Sequence, residues 1–265
     1  MEKSFGACAD FAAGYVEEHK KTFDEHNLRD LIDVLLLKVR ETTDSTSSFY
    51  GQRGEYAIIN NLVDLFMAGM ETTASSLLWS YLYLLHFPEC QVKIHQEIDS
   101  IIGKSRLPML DDKQNLHYTN AFLHESLRFA AFVPMSLFHY TTKEVAIRDY
   151  VIPKNAAIIT SLYHVMYDPD HFKNPNEFRP ERFLDQDGKF VPDPRVIPFG
   201  IGKRVCLGQS MAEKQFFLQF TTLIQNFRIE QEPGVPLPKY GIDDVHVTGI
   251  TRTCPKFNLI LHHRA

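Results

Sequence analysis

The chain has 265 residues, 44% of them hydrophobic, with 28 basic and 33 acidic side chains for a formal charge of -5. That is enough apolar mass for a sizeable core in one or two domains, and the absence of a basic excess gives no footing for wrapping a nucleic acid. No run of 18 apolar residues and no charged-then-apolar leader is visible, so the sequence shows neither a membrane span nor a secretory signal.

Residues 5–21 read as a helix, and 28–40 as a stronger one with Asn27 as its cap. The Ser/Thr run 42–48 predicts a mobile surface loop. From 55 to 87 there is no proline, and Ile58, Leu62, Leu65, Phe66, Leu77, Trp79, Leu82 and Leu85 fall on nearly every side, which predicts a long helix through the core. Pro88 opens another helix to about Ile102, stopped by Gly103, and 116–129 forms a third before Pro134.

Beyond it, 145–147, 150–152 and 157–159, punctuated by Arg148-Asp149 and Pro153-Lys154-Asn155, predict small antiparallel hairpins. The stretch 173–198 holds Pro175, Pro180, Pro192, Pro194 and Pro198, too many for a regular element, and reads as an ordered meander or a floppy loop. Residues 209–226 repeat Met211, Phe216, Phe217, Phe220, Leu223 and Ile224 at near-helical spacing, and 256–262 alternates as a last strand. The balance is mainly α with small β-sheets, an α+β fold, with no repeat or internal domain boundary.

The chemistry concentrates at Phe199-Gly200-Ile201-Gly202-Lys203-Arg204-Val205-Cys206-Leu207-Gly208, a glycine-bracketed loop running into a helix. The cysteines Cys8, Cys90, Cys206 and Cys254 are scattered with no C-x-x-C pair, which signals neither a disulfide framework nor structural zinc and suits a reducing compartment. A lone cysteine is ordinarily a small buried hydrophobe. At a helix start, however, the dipole favours a thiolate, the form that ligates metal or attacks carbon. Gly202 and Gly208 allow tight turning and close approach of a flat ligand. A cysteine hydrolase pairing Cys206 with a distant histidine stays open, although no matching motif accompanies the thiol.

Within the long helix, Ala68-Gly69-Met70-Glu71-Thr72-Thr73 places a glycine at a cost of about 1 kcal/mol relative to alanine. Either helix packing at Gly69, with Glu71 on a solvated stripe beside Asn60, Asp64 and Ser75, or room for a ligand explains it. Glu125 and Arg128, three apart, form a pair that is weak by itself, and His139 is one of 12 histidines.

Phe199, Gly202, Cys206 and Gly208 match F-x-x-G-x-x-x-C-x-G, and this loop resembles the haem-binding signature of the cytochrome P-450 superfamily. The resemblance implies haem b, with Cys206 as the proximal thiolate ligand of its iron. It implies the cytochrome P-450 fold, with 1–265 as the carboxy-terminal haem-binding portion and the amino-terminal half absent. Ala68 to Thr73 resembles the oxygen-activation motif A-G-x-[DE]-T-[TS], which implies Glu71 and Thr72 as a proton-relaying acid–alcohol pair, with Ala68 and Gly69 beside the haem. Glu125-x-x-Arg128 and Pro180-Glu181-Arg182-Phe183 match E-x-x-R and P-E-R-F, implying a structural network of Glu125, Arg128 and Arg182 that locks the meander beneath the haem.

Similarity to the animal microsomal, family-2-like branch implies that Arg204 and His139 bind haem propionates. It places Phe199 near the proximal haem face and Lys203 on the outer surface where a redox partner docks. Phe66, Met67, Ala68, Val133, Pro134, Met135, Gly249, Ile250 and Thr251 match substrate-lining segments of apolar character.

The implied activity is a haem-thiolate monooxygenase inserting one atom of dioxygen into a hydrophobic organic substrate of steroid, fatty-acid or xenobiotic type. Its electrons come from NADPH through a flavoprotein reductase, so NADPH and flavin serve indirectly. The implied location is the cytosolic face of the endoplasmic reticulum membrane, anchored through the missing half. The alternatives are a truncated, catalytically silent product and a same-fold isomerase or dehydratase, against which Thr72 favours oxygen chemistry.

Overall fold

Asp30, rather than Asn27, starts the second helix: its carboxylate accepts the amides of Ile32 and Asp33, while Asn27 closes a turn onto Asp24 O. The computed structural model describes residues 2–241 and 247–264. In chain order the α-helices are α1 Glu2–Lys21, α2 Leu31–Glu41, α3 Gly51–His86, α4 Pro88–Ile101, α5 His117–Ala130, α6 Leu162–Met166 and α7 Gln209–Asn226. The chain divides into two units, one ending at Glu71 and the other beginning at Thr72.

In the first unit, α1, α2 and the opening turns of α3 pack around Ala12, Val16, Ile58, Leu62 and Val63. Asp33 is fully buried, and its carboxylate takes Arg29 Nε at 2.7 Å, Arg29 Nη2 at 2.8 Å and the Arg29 amide at 3.0 Å. The Arg29 guanidinium holds that carboxyl down at about 2. His19 of α1 reaches the α2 cap, Nε2 to Asp30 Oδ2 at 2.8 Å. At Gly54 an added Cβ would stand 2.5 Å from Phe49 O and 2.7 Å from Val39 Cγ2, so only glycine lets the helix approach that loop.

The long helix was expected to run through the core along its whole length. From 64 to 71 every residue is exposed, including Leu65, Phe66, Met67 and Met70. A stretch apolar on all sides needs partners all round, and the described residues do not supply them there.

The second unit is centred on Trp79, Leu82, Tyr83, Ile94, Ile98, Phe122, Phe217, Phe220 and Ile224, from α3, α4, α5 and α7. Pro88 begins α4 as expected, and Gly103, at φ +72, ends it by donating its amide to Ile98 O. Glu97 of α4 supplies the cap that α5 lacks, accepting the amides of Tyr118 at 2.7 Å and Thr119 at 2.8 Å.

The strands pair in twos and antiparallel among the described residues: β1 His139–Tyr140 with β4 Ala157–Ile158, β2 Val145–Ile147 with β3 Tyr150–Ile152, β5 Phe227–Gln231 with β8 Leu259–His263, and β6 Val247–Thr248 with β7 Thr251–Arg252. The 157–159 stretch was expected to continue the hairpin series, but it turns back to β1, register His139 to Ile158. β5, β6–β7 and α6 were not anticipated. The Gln91 amide of α4 completes β5, donating to Ile229 O and accepting the Ile229 amide.

The 173–198 meander contains the 3-10 turn Pro180–Phe183 and the bridge Leu184 to Phe190, and Phe172 and Phe183 pack on Ala121 of α5. No described helix is long and apolar enough to cross a membrane.

Candidate functional site

The loop before α7 is shaped by two glycines in the left-handed region, Gly200 at φ +75 and Gly202 at φ +79, conformations costly for a side chain. A 3-10 turn over Gly202–Arg204 follows, and the Cys206 amide donates to Phe199 O at 3.0 Å, closing the loop on itself. Gly208 is the α7 N-cap with an ordinary φ of -85. A Cβ there would lie 3.9 Å from Cys206 Sγ, an ordinary contact, so neither turning nor steric room within the described residues requires glycine at this position.

Cys206 is exposed, as are Ile201, Val205 and, at 92%, Leu207. Burial distinguishes two of the other three thiols: it pushes Cys90 up to about 11 and Cys254 up to about 12, which keeps both protonated. Arg204 and His139 are exposed, and among the described residues neither side chain has a hydrogen-bond partner, which leaves a guanidinium and an imidazole available to an anionic ligand.

The donor set fits a haem. An accessible thiol stands at a helix start, and nothing lies within 4 Å of a Cβ built on Gly200 or Gly202. Arg204, two residues before Cys206 and exposed, adds a group suited to a carboxylate.

On α3, Phe66, Met67, Ala68, Gly69 and Glu71 are exposed. Helix packing at Gly69 does not explain that glycine, for a Cβ there would meet nothing within 4 Å. Ser75, assigned to the solvated stripe with Glu71, is buried. Thr72, next along the helix, is half-buried, and its carbonyl accepts the Ser76 hydroxyl at 2.8 Å.

Glu125, Arg128 and Arg182 come together. Arg128 binds the carboxylate in a fork, Nε to Oε2 at 2.6 Å and Nη2 to Oε1 at 2.9 Å. Arg182 Nε adds a bond to Oε1 at 3.1 Å, and the Arg179 amide another at 2.8 Å. The arginines then hold carbonyls of the meander and its approach: Arg128 takes Met166 O and Pro175 O, each at 3.0 Å, and Arg182 takes Lys173 O at 3.0 Å and Glu177 O at 2.8 Å. Burial lowers the Arg182 guanidinium from its ordinary range against the pull of Glu125.

Of the expected substrate-lining residues in the second unit, Pro134 is buried, Val133 half-buried and Met135 exposed. Gly249, at φ +68, and the exposed Ile250 form the β6–β7 turn, with half-buried Thr251 beginning β7. The two segments meet, because the Arg252 amide donates to Phe132 O at 2.7 Å. Arg252 itself, fully buried, escaped the sequence reading. A single arginine near the chain end carries no pattern that marks it as internal.

Comparison with known proteins identifies the family. The sequence profile of the cytochrome P450 family matches residues 1–253. The chain is 36% identical to cytochrome P450 2B19 of Mus musculus over 98% of this chain and 51% of the mouse protein. It is 41% identical to cytochrome P450 2C23 of Rattus norvegicus over 93% of this chain and 49% of the rat protein. To cytochrome P450 2B4 of Oryctolagus cuniculus it is 38% identical over 88% of this chain and 46% of the rabbit protein. The chain thus spans about half the length of the curated relatives it matches. On the strength of the profile and these relatives, the chain belongs to the cytochrome P450 family.

Proposed function

We propose that this chain is the carboxy-terminal haem-binding portion of a haem-thiolate monooxygenase, which inserts one atom of dioxygen into a hydrophobic organic substrate. Electrons come from NADPH through a flavoprotein reductase, at the cytosolic face of the endoplasmic reticulum membrane. The observation that carries the reading is the exposed Cys206 at the entrance to α7, on a loop that Gly200 and Gly202 keep open.

Cys206 would hold the haem iron through its sulfur, while Arg204 and His139 would hold the propionates. When bound, that group supplies activation of dioxygen, with the thiolate donating electron density toward O–O cleavage. The residues of the chain provide position and protons. The Thr72 hydroxyl passes a proton inward, and Glu71, its neighbour on α3, is exposed and refills it from water. Glu125, Arg128 and Arg182 hold the meander rigid, and the apolar side chains Val133, Met135 and Ile250 select an apolar ligand. Lys203, exposed beside Arg204, suits contact with an acidic redox partner.

Turnover in labelled dioxygen tests the reaction class. The account expects one labelled oxygen in the product and strict dependence on NADPH and reductase. A product without label, formed in the absence of reductant, would instead show an isomerase or dehydratase. The exposure of Leu65, Phe66, Met67 and Met70 favours a second reading, in which the half-length chain alone holds haem poorly. Haem stoichiometry of purified residues 1–265 decides it: one tightly held haem per chain rules that reading out.

A further inference from the structure

The last carbonyls of α5 have no partner within the helix. Most such ends are closed by a glycine in the left-handed conformation. Here the position belongs to Ala131, at φ 39 and ψ 51, fully buried and without that freedom. The compensation comes from 121 residues further along the chain. Arg252 Nη1 donates to Phe129 O at 3.3 Å and to Ala130 O, setting a positive charge at the negative end of the helix dipole.

The other arm of the same fork, Nη2, donates to Tyr240 O at 2.7 Å and Gly241 O at 2.8 Å. The Trp79 ring covers the guanidinium 4.7 Å from its centroid, and the indole N–H donates to Arg252 O at 3.1 Å. The Arg252 amide bonds Phe132 O. No carboxylate pairs with this buried cation among the described residues. Leucine or methionine would fill an apolar site without the desolvation cost. What arginine alone supplies is a rigid planar fork reaching two backbone segments at once.

We infer that Arg252 is a positioning residue of the substrate site: it fixes the chain after α5, which leads to 133–135, against the β6–β7 turn at Gly249 and Ile250. This rests on the proposed function, under which both segments face the substrate. Met135 and Ile250, both exposed, extend the two segments that Arg252 ties together. Their spacing, and hence the ligand size admitted, is therefore set by a side chain that need not touch the ligand.

The test compares wild type, Arg252→Lys and Arg252→Gln as haem-loaded proteins titrated with imidazole and with phenylimidazole, which differ by one ring. Amide hydrogen exchange is followed at 133–135 and 247–252. Positioning predicts unchanged imidazole affinity, a loss of about tenfold for phenylimidazole in the glutamine variant, partial recovery with lysine, and exchange rising in both segments together. Equal changes for the two ligands, or exchange unaltered in either segment, would overturn the inference. If Arg252→Gln does not fold, Trp79→Phe removes the N–H bond to Arg252 O and is judged by the same outcomes. A wild type that takes up no haem supports the second reading of the proposed function instead, and the exchange measurement alone then decides the role of Arg252.

Discussion

Arg182, on the meander, places Nε 3.1 Å from Glu125 Oε1, although Arg128 already grips that carboxylate with two bonds of its own. Two cations thus share one anion, with side-chain exposures of 0% for Glu125 and Arg128 and 5% for Arg182. A surface ion pair contributes a few tenths of a kcal/mol. At this burial the removal of one partner is a different matter.

Glu125→Gln leaves both guanidinium groups without a countercharge and should destabilise the fold by about 3–5 kcal/mol. Urea unfolding of the variant measures that loss. Limited proteolysis should show first cleavage moving into 173–198, the segment whose Lys173 and Glu177 carbonyls Arg182 holds.

Gly54→Ala forces a methyl group into the space occupied by Phe49 O and Val39 Cγ2. The ordinary gain from alanine in a helix is here reversed, and a net loss of about 1–3 kcal/mol is expected. Thermal unfolding followed by circular dichroism checks the sign, which distinguishes this glycine from Gly69, where alanine meets nothing.

His124 accepts the Asp193 amide at 3.3 Å and packs edge-on against Phe183, ring centroids 4.6 Å apart. Burial lowers it to about 4, with Lys113 and Arg128 pushing the same way against Asp193. Above the ordinary histidine value near 6.5 the ring is neutral in both folded and unfolded chains, so it adds no pH dependence. Between about 6.5 and 4 the unfolded chain takes a proton that the folded one refuses, and stability falls by roughly 3 kcal/mol as pH drops through that window. Urea unfolding across that window should show the slope in the wild type and its loss in His124→Gln.

The sequence made α7 legible because one stripe of Phe216, Phe217, Phe220 and Ile224 meets the core, and all four are buried. The Glu125–Arg128 pair was visible as a spacing, but its burial was not, because three-residue charge spacings occur equally on solvated faces. β5 was hidden for another reason: it follows Asn226 at once, with no turn residue between, and its pairing with β8 is a long-range event. The role of Gly54 depends on a close approach that no local pattern encodes. The exposed 64–71 stretch shows the converse, since apolar character signals a need for partners without saying where they lie.

Central to the account is the sulfur of Cys206 as ligand to haem iron, and the absorption spectrum of the reduced, carbon-monoxide-bound protein reads that bond directly. The account predicts the thiolate-type band in the wild type and its loss in Cys206→Ser, with the band kept when Cys8, Cys90 or Cys254 is replaced. A band that survives in Cys206→Ser would contradict it.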